Sequence, residues 1–400
     1  SAIGAPPVSH DVIRLTLRFN TIDLWHPLPG DDDNSVTFRL SAMPWKGQEM
    51  LSRHTRDSDQ GSPIPKNDAL DRGAPDQGAP APANGAPSWG APSPTVGAPE
   101  HSDEDSQPLA RIETGNPSAP TTIYLLHGIT SCAGAMADLQ LRLAHPSRRI
   151  IALDARGHGL SPRWSDDQLA RAGDQLIDDV VNAIERDRAC RRSPSHQIFH
   201  QAASPSSTNR GPRTILIGHS MGAATAAAVA LRRPDLVDAV VAEDPARFGT
   251  RSLEELHERG KLRAAKIQET ANDLVGALTR ELAAGSAPSS EILPGLWASQ
   301  QCDPRLLQTG VVAPEIKWEE VMAGLKVPTL IVTGDVVGES RVGLEGMEIL
   351  RQIGNRCVEC VIVHGGVHNV RRSRPQGYFD AVLPFIARIE ASGRGEEITG

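Results

Sequence analysis

Aromatic residues are scarce in this chain: six Phe, six Trp and two Tyr among 400 residues. Long basic runs are missing, and 41 Lys and Arg against 49 Asp and Glu leave a net charge of −8. A nucleic-acid partner is not expected, because phosphate binding needs clustered cations that displace counterions. Apolar runs are short as well. The longest covers residues 223–231, far below the roughly 18–20 residues that cross a bilayer, so no transmembrane segment is expected. The five cysteines (Cys132, Cys190, Cys302, Cys357 and Cys360) are odd in number and scattered, which argues against a disulfide framework. Cys357 and Cys360 form a CxxC, but on a strand residues three apart point to opposite faces, so they read as buried strand residues. A cytoplasmic location is the expectation, although a start at Ser1 rather than Met leaves room for a removed leader. A phosphate-binding glycine loop, a dinucleotide fingerprint and an HExxH zinc motif are lacking. The thirteen histidines show no metal-ligand spacing. No cofactor and no metal are therefore expected.

What the chain has in excess is punctuation, with 36 Gly and 31 Pro. Gly-Ala-Pro recurs at 73–75, 78–80, 85–87, 90–92 and 97–99 inside a stretch, 53–118, that lacks apolar periodicity. Such a segment cannot offset its own ordering entropy and is expected to be a flexible, low-complexity insertion. A second polar stretch, 191–212, reads the same way. The remainder alternates short β-branched runs with helical patterns. The runs are 12–19, 35–40, 121–126, 149–153, 214–217, 239–242, 329–333 and 358–363. Several are apolar throughout, as in strands buried on both faces of a parallel sheet. Helical patterns start at the Ser165/Gln168 capping box, just after Gly218, and near Pro375. The fold class predicted is α/β: a doubly wound, mostly parallel, eight-stranded sheet. Residues 1–52 are expected to supply its first strands, and 119–245 and 327–400 the rest of the catalytic domain. Between them, 246–326 shows no convincing strand but carries a Ser252/Glu255 capping box and helical spacing at Ile267, Ala271, Leu274, Leu278 and Leu282. This segment is expected to be a helical cap.

The sharpest chemical signal is Gly218-His219-Ser220-Met221-Gly222. G-x-S-x-G alone occurs by chance in about one chain in seven of this length. Here it follows an apolar strand pattern and opens an Ala-rich helix, the strand–turn–helix context of a nucleophile elbow. Ser220 is the predicted nucleophile, and it needs a base. His368 lies past two glycines after the last strand pattern and is assigned that role, with His364 as the fallback. A carboxylate must orient the imidazole. Asp335, after the run 329–333, is preferred; Asp244 and Glu243, after 239–242, stand as alternatives. The amides of Met221 and Ile129 are the predicted oxyanion donors, Ile129 lying on the loop Leu126-His127-Gly128-Ile129-Thr130. Arg371, Arg372 and Arg374 read as a solvated basic helix start rather than an anion site.

With the elbow, Leu125-Leu126-His127-Gly128, Asp154-Ala155-Arg156-Gly157-His158-Gly159-Leu160-Ser161, Thr333-Gly334-Asp335 and Gly366-Val367-His368-Asn369, the chain resembles the α/β-hydrolase superfamily. These marks span about 121–389 in that superfamily's order. The resemblance implies that the helical insertion is a cap over the site and that Arg156 and His158 are structural. The Gly-Ala-Pro insertion and 191–212 are not features of that superfamily. The function expected is hydrolysis of a carboxylic ester or lactone through an acyl-enzyme on Ser220, Asp335 and His368. The cap residues Trp297 and Trp318 suggest an apolar or aromatic small-molecule substrate. A carbon–carbon bond hydrolase or amidase with the same triad, or a non-catalytic ligand-binding protein, are the rival readings.

Overall fold

The computed structural model describes residues 107–192, 211–249 and 251–392, together with the backbone of Ile22–Leu24 and Phe38–Ser41. The strands are β1 (Ile22–Leu24), β2 (Phe38–Ser41), β3 (Arg111–Gly115), β4 (Thr121–Leu126), β5 (Arg148–Leu153), β6 (Arg213–His219), β7 (Ala239–Glu243), β8 (Thr329–Gly334) and β9 (Val358–Val363). They form one sheet in the order β1-β2-β3-β5-β4-β6-β7-β8-β9. From β5 through β9 neighbouring strands run parallel, and β1, β2 and β3 extend the sheet antiparallel. The described sheet thus has nine strands instead of eight.

Seven of the expected runs are described strands, and two unexpected ones, β1 at Ile22–Leu24 and β3, bring the count to nine. The expected strand at 12–19 lies outside the described residues, as does the Gly-Ala-Pro repeat. β3 falls inside the stretch 53–118 assigned to the insertion. Its sequence, Arg-Ile-Glu-Thr-Gly, has a single large apolar side chain. It is ordered by pairing with β5 along five registered positions, from Arg111↔Leu153 to Gly115↔Arg149, and by ion pairs from Arg149 to Glu113 and Asp187.

The central strands β4, β5, β7 and β8 are buried along their whole length. Their side chains alternate between two cores, as the period of a strand requires. Tyr124, Leu126, Leu216, Val240, Ala242 and Ile331 enter one core. Ile123, Leu125, Ile215, Ile217, Val241 and Val332 enter the other. Helices cover both faces. They are α1 (Ala137–Leu143), α2 (Asp166–Ala170), α3 (Ala172–Arg192) and α4 (Met221–Arg232). After β7 come α5 (Leu253–Asn272), α6 (Leu274–Ala284), α7 (Ser289–Gln300), α8 (Pro304–Thr309) and α9 (Trp318–Gly324). The chain closes with α10 (Gly343–Ile353), α11 (Val370–Ser373) and α12 (Pro375–Ala391). The first core packs under α3, α4, α9 and α10, the second under α1 and α12.

Both capping boxes read from the sequence form, at Ser165/Gln168 and Ser252/Glu255. The helical run expected through 267–282 is broken in two. Asp273 ends α5 and caps α6, its side chain accepting the Gly276 N–H. α3 continues through Arg192, so Arg191 and Arg192 belong to a helix rather than to the polar stretch 191–212; residues 193–210 lie outside the described residues. Trp318 is buried in the first core beneath the Arg247 guanidinium, and Trp297 is the exposed tryptophan of the insertion. The pair therefore does not line a common apolar surface.

Candidate active site

The turn after β6 is fixed by close packing. A Cβ at Gly218 would run into the Gly222 carbonyl, and one at Gly222 would strike the Leu126 carbonyl. Between them Ser220 takes φ 53° and ψ −112°, a left-handed conformation that costs about 1–3 kcal/mol and is held by the surrounding structure. The Ser220 N–H donates to the Glu243 carbonyl at 3.0 Å, tying the turn to β7. Met221 begins α4, so its N–H is one of the unpaired donors at a helix start. Gly128 approaches this turn so closely that a Cβ there would lie 2.8 Å from His219 Nδ1 and 3.3 Å from the Ser220 Cβ. The next residue, Ile129, contributes the other amide considered for the oxyanion. Among the described residues neither the Ile129 nor the Met221 N–H donates to a protein acceptor.

His368 Nε2 lies 2.9 Å from Ser220 Oγ. On the other side of the ring, His368 Nδ1 is 2.6 Å from Asp244 Oδ2. Asp335, preferred on sequence, is elsewhere: its Oδ2 sits 2.7 Å from His364 Nδ1 and its Oδ1 accepts the Gly365 N–H at 2.7 Å. The reason lies in strand order. β7 adjoins β6, the strand that leads into Ser220, whereas β8 is one strand further out, about 4.8 Å more. Asp335 therefore meets the neighbouring end of β9, while the Gly365-Gly366 turn carries His368 back toward β6. His364, the fallback base, is exposed and pairs with Asp335 instead of Ser220. Glu243 faces a different group: its Oε1 accepts the Arg371 N–H at 2.8 Å. Burial pushes the Glu243 carboxyl up to about 7, against the pull of Arg371.

Asp244 is fully buried and its oxygens are saturated. They accept from Thr333 Oγ1 at 2.7 Å, from the Arg341 N–H at 2.8 Å and from the Val342 N–H at 3.0 Å, besides facing His368. Its own backbone has φ 39°. A carboxylate so held can orient the imidazole and balance its charge without being protonated itself.

Further histidines, to which the sequence motifs assign no catalytic role, support the site. His219 packs its ring 4.8 Å from that of His368 and is 3.1 Å, through Nε2, from the His368 carbonyl. Burial, then the nearby His368, keeps its pKa well below the usual range. The ring is neutral, so Nε2 carries the proton and donates to that carbonyl. His127 Nε2 accepts the Ala155 N–H, so its Nδ1–H donates to the Gly128 carbonyl at 2.8 Å. His158 Nε2 accepts the Thr130 N–H at 3.2 Å and is lowered to about 3, chiefly by burial. Asp154 accepts the N–H groups of Ala133 and Leu160. The turn carrying Asp154, Arg156 and His158 thus braces the loop 127–133. Arg156 itself is tied to Asp179.

The insertion reaches the site through α7. Glu291, fully buried, accepts from both terminal nitrogens of Arg371 at 3.0 and 2.9 Å, from Arg372 Nε at 3.0 Å and from the Asp138 N–H at 3.1 Å. Arg371 and Arg372 follow His368 by three and four residues. Of the three arginines expected at a solvated helix start, Arg374 is exposed, whereas Arg371 is 4% exposed and neutralised by Glu291. Burial opposes its charge, and Glu291 and Glu243 more than restore it. A cavity behind the elbow is lined by Leu126, His127, Met221 and Gly222, and Ser220 is not among its lining residues. Among the described residues no group of three or more His, Cys, Asp or Glu is placed to hold a metal ion, and no helix is long and apolar enough to cross a membrane.

A nine-stranded α/β sheet with a serine elbow, a histidine loop and a helical insertion after β7 defines the class. Residues 117–372 match the family model Hydrolase_4, described as serine aminopeptidase, S33. The chain belongs to this family of α/β hydrolases. It is similar to the sn-1-specific diacylglycerol lipase ABHD11 of Xenopus tropicalis, 28% identical over 41% of this chain and 47% of the relative. It is also similar to lipase LipV of Mycobacterium tuberculosis, 33% identical over 34% of this chain and 41% of the relative. A third relative is the 2-(acetamidomethylene)succinate hydrolase of Mesorhizobium japonicum, 32% identical over 32% of this chain and 36% of the relative. Each alignment spans less than half of the relative's length. Among solved structures, E-2-(acetamidomethylene)succinate hydrolase superposes with a TM-score of 0.50 at 22% identity, covering 70% of this chain and 96% of that one.

Proposed function

We propose that this protein is a serine hydrolase that cleaves a carboxylic ester or lactone through an acyl-enzyme, with Ser220, His368 and Asp244 as its triad. The observation that carries the reading is the relay from Ser220 Oγ to His368 Nε2 at 2.9 Å and from His368 Nδ1 to Asp244 Oδ2 at 2.6 Å. Family membership and relatives named as lipases or as a hydrolase support hydrolysis as the reaction.

In this mechanism His368 Nε2 takes the hydroxyl proton as Ser220 Oγ attacks the carbonyl carbon. The amides of Met221 and Ile129 receive the developing oxyanion, each such donor typically worth about 3–4 kcal/mol in the barrier. Asp244 holds the ring with Nδ1–H directed at itself, which leaves Nε2 free as the base. The protonated imidazole then returns its proton to the leaving alcohol, or to the lactone's own alkoxide. Water, deprotonated by the same nitrogen, releases the acid and regenerates Ser220. Attack and release use one base in both directions, so no cofactor is required by the scheme.

The test pairs a fluorophosphonate probe with a substrate panel. Wild type is expected to be labelled at Ser220 and to turn over 4-nitrophenyl esters; Ser220→Ala is expected to do neither. A panel of ester, lactone, anilide and vinylogous diketone then separates ester hydrolysis from amide or carbon–carbon cleavage. Absence of labelling in folded wild-type protein overturns the reading.

A further inference from the structure

Strands β6 and β7 run parallel and end in register, with His219 opposite Glu243. Registered residues of parallel neighbours point to the same face of a sheet, about 4.8 Å apart. Counting by two from Ile215 and Ile217 in β6, and from Ala239 and Val241 in β7, puts both side chains on the face of the second core. The residues that follow them, Ser220 and Asp244, leave the strands with positive φ, 53° and 39°. Nucleophile and acid thus turn away together, while the side chains just before them keep the direction of the strand.

That face is covered at its C-terminal end by the segment that carries the base. Val370 is fully buried and belongs to the same core as Ile217 and Val241. On one side of Val370, His219 Nε2–H donates to the His368 carbonyl at 3.1 Å. On the other, Glu243 Oε1 accepts the Arg371 N–H at 2.8 Å. Arg371 is the second residue of α11, so its N–H has no acceptor within the helix. Asn369 caps the next such group, the Arg372 N–H. The Arg371 guanidinium is taken by Glu291 and Asp138, so what Glu243 holds is the main chain. Through its own carbonyl Glu243 also accepts the Ser220 N–H at 3.0 Å.

His219 is confined from its other side as well. A Cβ at Gly128 would lie 2.8 Å from His219 Nδ1, which wedges the ring between residues 128 and 368. Burial and the neighbouring His368 keep it neutral. A neutral ring suits this place, because two imidazolium rings 4.8 Å apart would repel while the base carries its proton.

We propose that His219 and Glu243 work as a pair of positioning residues for the base. Gripping the main chain at the His368 carbonyl and at the Arg371 N–H, they fix the imidazole between Ser220 Oγ and Asp244 Oδ2. The pair stands on the two strands that lead into nucleophile and acid. A shift of either strand therefore carries the base along with the groups it must reach. The role rests on the serine hydrolase reading, in which His368 is the base.

Full-length variants are compared in kcat and KM for 4-nitrophenyl butyrate, at a pH above the Glu243 value of about 7. Glu243→Met removes the acceptor and His219→Phe the donor, each with little change of bulk. Each is expected to lower kcat about 10- to 100-fold, with KM within about twofold of wild type, since small displacements of a reacting group act on the rate. Glu243→Gln and His219→Gln restore an acceptor and a donor, and each is expected to recover most of the loss. In Glu243→Met/His219→Phe the loss is expected to fall short of the product of the single losses, because both residues act on one segment. Proton NMR gives a second readout, the downfield Nδ1–H signal of His368 bonded to Asp244, identified by its disappearance in His368→Gln. It is expected to broaden or shift in folded Glu243→Met and His219→Phe and to return in the two Gln variants. Should Glu243→Met fail to fold, His219→Phe and His219→Gln decide by the same two readouts. Losses that multiply, a rise in KM without a fall in kcat, or a wild-type signal in the slowed variants overturn the pair. Wild-type protein that shows the signal and its dependence on both residues, yet neither hydrolyses an ester nor takes a fluorophosphonate, would sink the hydrolase reading while sustaining the pair.

Discussion

His368 Nδ1 faces Asp244 Oδ2 at 2.6 Å, across the joint between the end of β7 and the loop after β9. Asp335, the more conventional position by chain order, is engaged with His364. The two carboxylates predict opposite outcomes. Asp244→Asn is expected to lower kcat by about 10³- to 10⁴-fold, since the amide favours the wrong imidazole tautomer. Asp335→Asn is expected to leave kcat/KM near the wild-type value. Steady-state rates on an activated ester check both, and a larger loss at Asp335 would reverse the assignment.

Local signals made much of this structure readable from sequence. The strand–turn–helix around Ser220 needs only neighbouring residues: two glycines that admit the Leu126 carbonyl and a helix that starts at once. β9 and α12 fall where the apolar runs put them. What was not legible depends on distant partners. β3 has no apolar alternation and exists as a strand through its pairing with β5. The choice between Asp244 and Asp335 depends on which strand lies beside β6, a matter of sheet order, and on Thr333, Arg341 and Val342, which converge on Asp244 from about 90 or more residues away. Arg371 looked solvated because its partner, Glu291, sits 80 residues upstream in the insertion.

The elbow's packing makes a stability prediction. A methyl group at Gly222 would meet the carbonyls of both Leu126 and His127, which belong to β4 and the loop that follows it. Backbone cannot yield as a flexible side chain does, so Gly222→Ala is expected to cost at least about 1–3 kcal/mol and to displace Ser220 from His368. Urea unfolding measures the first effect and fluorophosphonate labelling rate the second. Unchanged stability with unchanged labelling would mean that the turn is looser than this geometry.

Glu291 ties α7 to the segment that follows His368, through Arg371, Arg372 and the Asp138 N–H. Removing one partner strands buried charge, so Glu291→Ala is expected to destabilise the protein by about 3–5 kcal/mol. Glu291→Gln/Arg371→Met, which removes both charges, is expected to recover part of that loss. Thermal unfolding of the two variants decides it. If the double variant is no more stable than the single one, the cost does not arise from unpaired charge.

Acid sensitivity should arise in part from the neutral histidines that brace the site. His158 has its pKa lowered to about 3 by burial, and the unfolded chain restores about 6.5. Between those values the unfolded state binds the proton and the folded state does not, so stability is lost as pH falls from about 6.5 toward 3. Glu243 acts in the opposite sense: with a folded value of about 7 above its ordinary 4.5, it weakens the fold as pH rises through that interval. His158→Gln retains a side chain able to accept the Thr130 N–H but cannot titrate. It is expected to be less stable than wild type at pH 7.5, with the gap narrowing by about 1.4 kcal/mol per pH unit below 6.5. Urea titrations at pH 7.5, 5.5 and 4.5 measure that slope. A gap that stays constant across the series would show that native His158 takes up its proton as readily as in the unfolded chain, and would overturn the burial-lowered value.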